Sequence, residues 1–138
     1  MKKIIIAVLL GIMLPSPAFA DIIFSNKSNL NVVLAADEPE VVQTAFEIFR
    51  KDYQTVFGQE VVKAVDGVVL IGTIGYNSLA EKVLDKNAIH KLQLHKEGFL
   101  IQEKDGKLCV LGSDKRGTAY GIMELSRLIG VSPWEWWA

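Results

Sequence analysis

The chain has 138 residues, of which 50% are hydrophobic and 22% are charged, with one cysteine and a formal net charge of −1. This length suits a single domain, and the composition excludes a wholly disordered chain, an intramolecular disulfide and a zinc site built from cysteines. The near-neutral charge argues against a nucleic-acid partner, and the length excludes a complete (β/α)₈ barrel, which takes roughly 250 residues.

The first 20 residues are typical of a secretory signal peptide. Two lysines precede an uncharged apolar run over residues 4–14, and residues 18–20 (Ala-Phe-Ala) fit the cleavage pattern of small residues. The apolar run is shorter than the stretch of about 20 residues that a bilayer core requires, which disfavours a membrane anchor. We therefore predict cleavage after Ala20, secretion or a periplasmic location, and no membrane attachment of the chain that begins at Asp21.

A buried strand and a long amphipathic helix are predicted next. Residues 30–35 (LNVVLA) are short, β-branched and apolar, as in a buried strand. Asp37 fits a helix N-cap, Glu40 lies three residues on as in a capping box, and Gly58 is the natural helix end. Apolar residues between these ends recur at helical spacing and predict one buried stripe: Val42, Ala45, Phe46, Phe49, Tyr53, Val56 and Phe57.

A hairpin and a short helix are predicted after Gly58. Residues 60–65 and 68–74 are strand-like runs, and the Asp66-Gly67 pair between them favours a two-residue hairpin turn. Ser78 then fits the N-cap of a helix that ends near residue 86.

A second hairpin and a final helix complete the pattern. Residues 99–103 and 107–113 flank Asp105-Gly106, another Asp-Gly pair. The order of strand, helix, hairpin, helix, hairpin and helix predicts an α+β domain with a mixed β-sheet and packed helices. We predict one domain without internal linkers or repeats.

The final helix is predicted from Ser113 or Asp114 to about residue 129. Gly117 and Gly121 lie four residues apart and therefore share one face of this helix. Each glycine costs about 1 kcal/mol of helix propensity, so we expect them to allow a close approach between the helix and a sheet.

The sequence gives little support for metal binding or catalysis by its histidines or its cysteine. His90 and His95 are five residues apart. This spacing does not place both imidazoles on the same face of a helix, nor on the same face of a strand. Cys109 lies in an apolar strand, where a thiol is usually a small buried hydrophobe with a raised pKa. We predict no metal site, no catalytic nucleophile and no cofactor.

The segment Gly112–Thr118 (GSDKRGT) joins a predicted strand to a predicted helix. Lys115 and Arg116 beside a helix N terminus suit an anion site, whereas Asp114 would repel a phosphate. The segment also departs from the GxxxxGK[ST] pattern of nucleotide-binding loops. The alternative, which the composition favours, is a helix cap with Arg116 in a structural ion pair.

The last residues, from Gly112 to Ala138, read GSDKRGTAYGIMELSRLIGVSPWEWWA. This segment resembles the corresponding segment of glycoside hydrolase family 115, whose members are xylan α-1,2-glucuronidases. The strand before Asp37, the segment DEPEVVQTA at residues 37–45 and the segment GTIG at residues 72–75 resemble that family more loosely.

The resemblance implies an accessory domain. Residues 21–130 would form an α+β domain similar to the small N-terminal domain of hexosaminidases and α-glucuronidases, and residues 131–138 a Trp-rich junction to a (β/α)₈ catalytic barrel. The catalytic acids of the family lie in that barrel, so the resemblance implies no catalytic residue, metal or cofactor in these 138 residues.

The resemblance also implies roles for individual residues. Trp136 and Trp137 lie nearest to the expected barrel, where they would approach a sugar pocket or, in the favoured interpretation, pack against the barrel. The other positions are interpreted as a structural motif: Gly112, Asp114, Arg116, Gly117, Tyr120, Gly121, Pro133 and Trp134.

Three functions stay open on the sequence alone. The first is the N-terminal non-catalytic domain, or a truncated fragment, of a secreted α-glucuronidase that acts on glucuronoxylan. The second is a stand-alone module that binds a xylan-type polysaccharide through its three C-terminal tryptophans, whose rings can stack on sugars. The third is a module that docks on a separately encoded catalytic barrel.

Overall fold

The computed structural model describes residues 7–8, 12–13, 24 and 27–131. Two strands of two residues, β1 (Ala7–Val8) and β2 (Ile12–Met13), pair antiparallel in a small sheet of their own. They lie within the predicted signal peptide. The predicted cleavage site at Ala20 and the Trp-rich residues 132–138 lie outside the described residues.

A five-stranded sheet and four helices make up the main body over residues 27–131. The strands are β3 (Leu30–Leu34), β4 (Val61–Lys63), β5 (Val69–Thr73), β6 (Phe99–Lys104) and β7 (Lys107–Gly112). The helices are α1 (Glu40–Phe57), α2 (Leu79–Val83), α3 (Lys86–Gln93) and α4 (Lys115–Leu128). The predicted mixed sheet with packed helices is confirmed.

The strand order is β4-β3-β5-β7-β6, in which β6 alone is antiparallel to its neighbour among these five strands. The hairpin predicted at Asp66-Gly67 is therefore wrong, because β4 and β5 both pair parallel to β3, on opposite sides of it. Their connection crosses β3. Gly67 permits this crossing, since a Cβ there would lie 2.3 Å from the Asn31 carbonyl oxygen.

The second predicted hairpin, β6–β7, is confirmed. Lys104 pairs with Lys107, and both turn residues have positive φ angles, 54° at Asp105 and 77° at Gly106. These are the left-handed conformations that two-residue hairpin turns require and that Asp-Gly pairs adopt readily.

The long helix α1 ends where the sequence predicts but begins later. Gly58 adopts the left-handed conformation (φ 70°) and donates its N–H to the Gln54 carbonyl, which closes the helix. The predicted cap at Asp37 is wrong, because Pro39 occupies the N-cap position and no side chain caps the first turn. Most of the predicted stripe is buried, but Val56 is 42% exposed.

The helices cover the two faces of the sheet as separate layers. On one face, apolar residues of α1 and α4 pack with Phe24 and alternate strand residues such as Val32 and Val110. On the other face, α2 and α3 pack through residues such as Ala80 and Leu92 onto the remaining strand residues, Cys109 among them. The central strand β5 is buried along its whole length, as expected for a strand covered on both faces.

The region between the two hairpin candidates contains two helices where the sequence predicts one. Ser78 caps α2 as predicted, accepting a hydrogen bond of 3.1 Å from the Glu81 N–H. This helix ends at Val83, because Leu84 and Asp85 adopt extended conformations, and α3 then begins at Lys86.

Candidate functional site

The carboxyl edge of the sheet brings the candidate residues together. The parallel strands β3, β5 and β7 end there at Leu34, Thr73 and Gly112, and the helices α1 and α4 begin a few residues after two of them. In open sheets with parallel strands ligands bind at the carboxyl ends of the strands, so a site is expected at this edge.

A buried polar network joins three segments at this edge. Glu38, which is 4% exposed, accepts hydrogen bonds from the backbone N–H of Thr73 (3.2 Å) and from its hydroxyl (2.7 Å). The Thr118 hydroxyl lies 2.7 Å from that of Thr73 and donates to the Gly72 carbonyl at 3.1 Å. The network thus links the segment before α1, the end of β5 and the first turn of α4.

Burial and hydrogen bonding act in opposite directions on the pKa of Glu38. Removal from water raises the pKa of this carboxyl above its usual value of 4.5, and the negative charge of Asp37 raises it further. The two hydrogen bonds from Thr73 act in the opposite direction and offset only part of the effect of burial. Both carboxyl oxygens are engaged by Thr73, so the group joins segments of the fold and does not face a substrate space.

The polar groups of the segment Gly112–Thr118 form hydrogen bonds within the domain. Asp114 is the N-cap of α4: one carboxylate oxygen accepts from the Gly117 N–H and the other from the Glu97 N–H, both at 2.9 Å. The Ser113 hydroxyl accepts from the Gly98 N–H at 3.0 Å. The place of an anion at this helix N terminus is therefore taken by the carboxylate of Asp114.

Arg116 completes the contact between α4 and the loop before β6. Its guanidinium lies 3.3 Å from the Glu97 carboxylate, and Glu97 itself has a positive φ of 56°. Because both side chains are partly exposed to water, the ion pair adds little stability compared with the cap. Glu97 and Gly98 are thus held against α4 by Asp114, Ser113 and Arg116 together.

Three glycines of the motif lie where no side chain fits. A Cβ at Gly117 would lie 2.0 Å from the Gly98 carbonyl oxygen, and a Cβ at Gly112 would lie 2.1 Å from the Thr118 nitrogen. At Gly121 it would lie 2.7 Å from a methyl of Val110 on β7. These close approaches place α4 directly on the sheet, as the shared face of Gly117 and Gly121 leads us to expect.

Two further motif residues point outward, and the rest lie beyond the described range. Lys115 is exposed and Tyr120 is 43% exposed. Pro133, Trp134, Trp136 and Trp137 lie outside the described residues, so their roles stay predictions.

Two open grooves flank the carboxyl edge. The first, of about 390 Å³, lies between the starts of α1 and α4 and is lined by Pro39, Glu40, Val41, Thr44 and Lys115. The second, of about 370 Å³, lies at the start of α2 and is lined by Gly75, Asn77, Ser78, Glu81 and Lys82. Each lining includes one carboxylate, whereas glycoside hydrolysis generally uses a pair.

The side chains of the histidines and of the cysteine take no part in the hydrogen-bond network of Glu38, Thr73 and Thr118 at this edge. His90 and His95 are exposed, and over the described ranges no group of three His, Cys, Asp or Glu residues could hold a metal ion. Cys109 is fully buried, and burial raises the pKa of its thiol to about 12, which confirms the prediction of a small buried hydrophobe. Within the same ranges no helix has the length and apolar character needed to cross a bilayer.

Sequence reasoning missed the roles of Glu38 and Thr73. Their hydrogen bonds join residues 35 positions apart, and the contact of Thr73 with Thr118 spans 45 positions. The available signal was a charged residue shortly after one buried strand and a threonine at the end of the next, which parallel pairing places at one edge.

Comparison with known proteins identifies related domains. A sequence model of the family described as "Glycosyl hydrolase family 67 N-terminus" matches residues 18–125. A solved structure of a family GH115 4-O-methyl-α-glucuronidase, with specificity for decorated arabinogalactans, is 40% identical and superposes with a TM-score of 0.71. The match covers 80% of this chain and 15% of that enzyme, so the chain spans a small part of the relative.

A second solved structure, that of CpGH84D, shows the fold. It is 16% identical, with a TM-score of 0.54, over 76% of this chain and 18% of the other. No curated protein matches the chain.

Proposed function

The chain belongs to the family of N-terminal domains of glycosyl hydrolase family 67, and on that premise we propose that it supports the catalytic domain of a secreted α-glucuronidase. The similarity to the family 115 glucuronidase, 40% identical over 80% of the chain, carries the proposal. It confirms the resemblance to family 115 that the residues at 112–138 indicate. The chain thus corresponds to a non-catalytic N-terminal domain of a glycoside hydrolase.

The hydrogen bonds of the carboxylates at the carboxyl edge fit a non-catalytic role for the domain. Glu38 and Asp114 are its best-placed carboxylates, and both are held by hydrogen bonds from the domain's own backbone. Hydrolysis of a glycosidic bond needs one carboxyl group to protonate the leaving oxygen and a second to attack or to activate water. In this proposal, both groups come from the partner catalytic domain.

We further propose the substrate class of the complete enzyme. The resemblance to family 115 favours glucuronoxylan, and the solved relative acts on decorated arabinogalactans. The substrate expected for a 4-O-methyl-α-glucuronidase is a polysaccharide that carries 4-O-methyl-glucuronic acid side groups. Export by the signal peptide at residues 1–20 would bring the enzyme to such polymers outside the cytoplasm.

The proposed non-catalytic role of the chain is tested by combining the chain with its catalytic domain. The chain alone should release no 4-O-methyl-glucuronic acid from glucuronoxylan or arabinogalactan, whereas the chain together with its catalytic domain should release it. Capture of the catalytic domain by the immobilised chain should accompany this activity. Release of the acid by the chain alone would overturn the proposal.

The Trp-rich segment has its own test. We propose that Trp136 and Trp137 pack on the catalytic domain, so Trp136→Ala should weaken capture of that domain. Titration of the isolated chain with xylo-oligosaccharides should then leave its tryptophan fluorescence unchanged. A saturable shift that Trp136→Ala abolishes would favour direct sugar binding instead.

Export is tested separately. The mature protein recovered from the periplasm or medium should begin at Asp21, as N-terminal sequencing would show. Recovery of the intact protein with Met1 from the cytoplasm would contradict the signal peptide.

A further inference from the structure

A run of exposed basic side chains, flanked in sequence by Asp85 and Glu97, lies on the face of the domain that α3 covers. Between residues 86 and 96 the chain has three lysines, two histidines and no aspartate or glutamate. All five side chains are exposed to solvent. We call this set the α3 cationic surface: Lys86, His90, Lys91, His95 and Lys96.

These side chains are available to a partner. Within residues 27–131, none of the five makes a side-chain hydrogen bond or an ion pair, whereas Arg50, Lys107, Arg116 and Arg127 each pair with a carboxylate. The ammonium groups of unpaired lysines that lie close together repel one another. An external anion therefore gains attraction here without first breaking an internal ion pair.

The arrangement suits an extended polyanion better than a small ion. Lys86 and Lys91 are separated by about 8 Å along the axis of α3, and the run continues past the helix end to Lys96. His90 lies four residues after Lys86 and thus on the same helix face. Lys91 lies five residues after Lys86 and so does not share its helix face, and the positive charge does not converge on one point.

The surface lacks the apolar centre of a protein interface. Leu94, 73% exposed, is its large exposed apolar residue, while Ile89 and Leu92 face the sheet. The centres of protein interfaces are depleted of charged residues and rich in buried apolar side chains. A surface of exposed lysines with one exposed leucine fits a carboxylate-bearing polymer more closely than it fits a folded protein.

We propose that the α3 cationic surface binds the uronic-acid carboxylates of an acidic polysaccharide and so holds the enzyme on its polymer. The choice of ligand rests on the proposed function, in which the polymer carries glucuronic acid groups. Each contact is exposed, so each adds little and is screened by salt over about 10 Å at 0.1 M ionic strength. The binding is therefore reversible and requires several contacts at once.

The test is affinity electrophoresis of the purified chain in gels that contain glucuronoxylan. We expect retardation at low salt, loss of retardation in 0.5 M sodium chloride, and no retardation by the same polysaccharide after its carboxyl groups are reduced to alcohols. Equal retardation by the carboxyl-reduced polymer would overturn the proposal.

A matched pair of variants locates the binding surface. The double variant Lys86→Glu/Lys91→Glu should weaken binding about tenfold, because two attractive contacts become repulsive. The control Lys51→Glu/Lys115→Glu makes the same change in net charge at exposed lysines of α1 and α4. It should change the affinity less than about threefold. Equal losses in the two double variants would mean that net charge alone governs retention and would overturn the proposal.

Capture of the catalytic domain separates this inference from the proposed function. If Lys86→Glu/Lys91→Glu loses capture of that domain and keeps full retardation by glucuronoxylan, the surface binds a protein and the inference is wrong. If the unaltered chain is retarded as expected but captures no catalytic domain, the proposed function fails while the inference stands.

Discussion

The helices α3 and α4 both begin with an N-cap aspartate followed by a lysine, but the two aspartates differ in their hydrogen bonds. At α4, Asp114 accepts two backbone hydrogen bonds, from Gly117 and from Glu97, and thereby joins the helix to the loop before β6. At α3, Asp85 occupies the N-cap position without any side-chain cap hydrogen bond. The polar groups at the start of α4 hold the fold together, and those of α3 are left for solvent or a partner.

The contrast reflects how each helix meets the sheet. Helix α4 lies directly on its strands through Gly117 and Gly121, so its first turn is surrounded by backbone that needs hydrogen-bond partners. Helix α3 packs through the side chains of Ile89 and Leu92 and keeps its polar groups at the surface. A close backbone approach therefore predicts structural use of nearby polar residues, and a looser contact leaves them available.

The largest expected effect comes from filling the close approach at α4. Gly117→Ala places a methyl where the Gly98 carbonyl oxygen lies 2.0 Å away, so the loop or the helix must shift. We expect a loss of about 3 kcal/mol and a fall in Tm of about 10 °C, measured by thermal unfolding. The exposed control Lys115→Ala should stay within about 0.5 kcal/mol, and an unchanged Tm for Gly117→Ala would contradict the close packing.

The two N-cap aspartates provide the next test. Asp114→Ala removes the acceptor of two backbone N–H groups and should cost about 1–2 kcal/mol in urea unfolding. Asp85→Ala makes the same chemical change at a cap that has no side-chain hydrogen bond, and should cost less than about 0.5 kcal/mol. Equal losses would remove the distinction drawn between the two helices.

The buried carboxyl beside α4 predicts a dependence on pH. The pKa of Glu38 is raised by burial, so the folded chain holds this proton more tightly than the unfolded chain does. The stability of the native chain relative to Glu38→Gln should therefore increase as the pH falls from 7 toward 4.5, and decrease as it rises. Urea unfolding at pH 7 and pH 5 measures the difference, with the exposed Glu40→Gln as the control. A difference that does not change with pH would contradict the raised pKa.

The smallest expected effect is on the stability of α3. Lys86→Glu/Lys91→Glu should change the free energy of unfolding by less than about 0.5 kcal/mol, because neither lysine has a partner. A negative charge is favourable at the start of this helix and unfavourable near its end, so the two changes offset each other. A loss as large as that of Asp114→Ala would show that this surface also holds the fold together.

The two Asp-Gly pairs show where the local sequence decides the connection between two strands and where it does not. At Asp105-Gly106 both residues adopt positive φ, and the strands on either side pair with each other at once. At Asp66-Gly67 neither residue does, because the flanking strands find their partner in β3, more than 25 residues earlier in the chain. The same dipeptide therefore forms a hairpin only where no third strand competes for the pairing.

The sequence by itself determined the mixed class of fold, the cap at Ser78, the end of α1 and the resemblance to glycoside hydrolase family 115, and it narrowed the cap of α4 to Ser113 or Asp114. Each of these depends on neighbouring residues or on a continuous motif. The tertiary structure alone decided that β3 separates β4 from β5 and that Glu38 meets Thr73 and Thr118. Those outcomes follow from pairing between distant segments, where burial forces polar groups to find partners that local sequence does not specify.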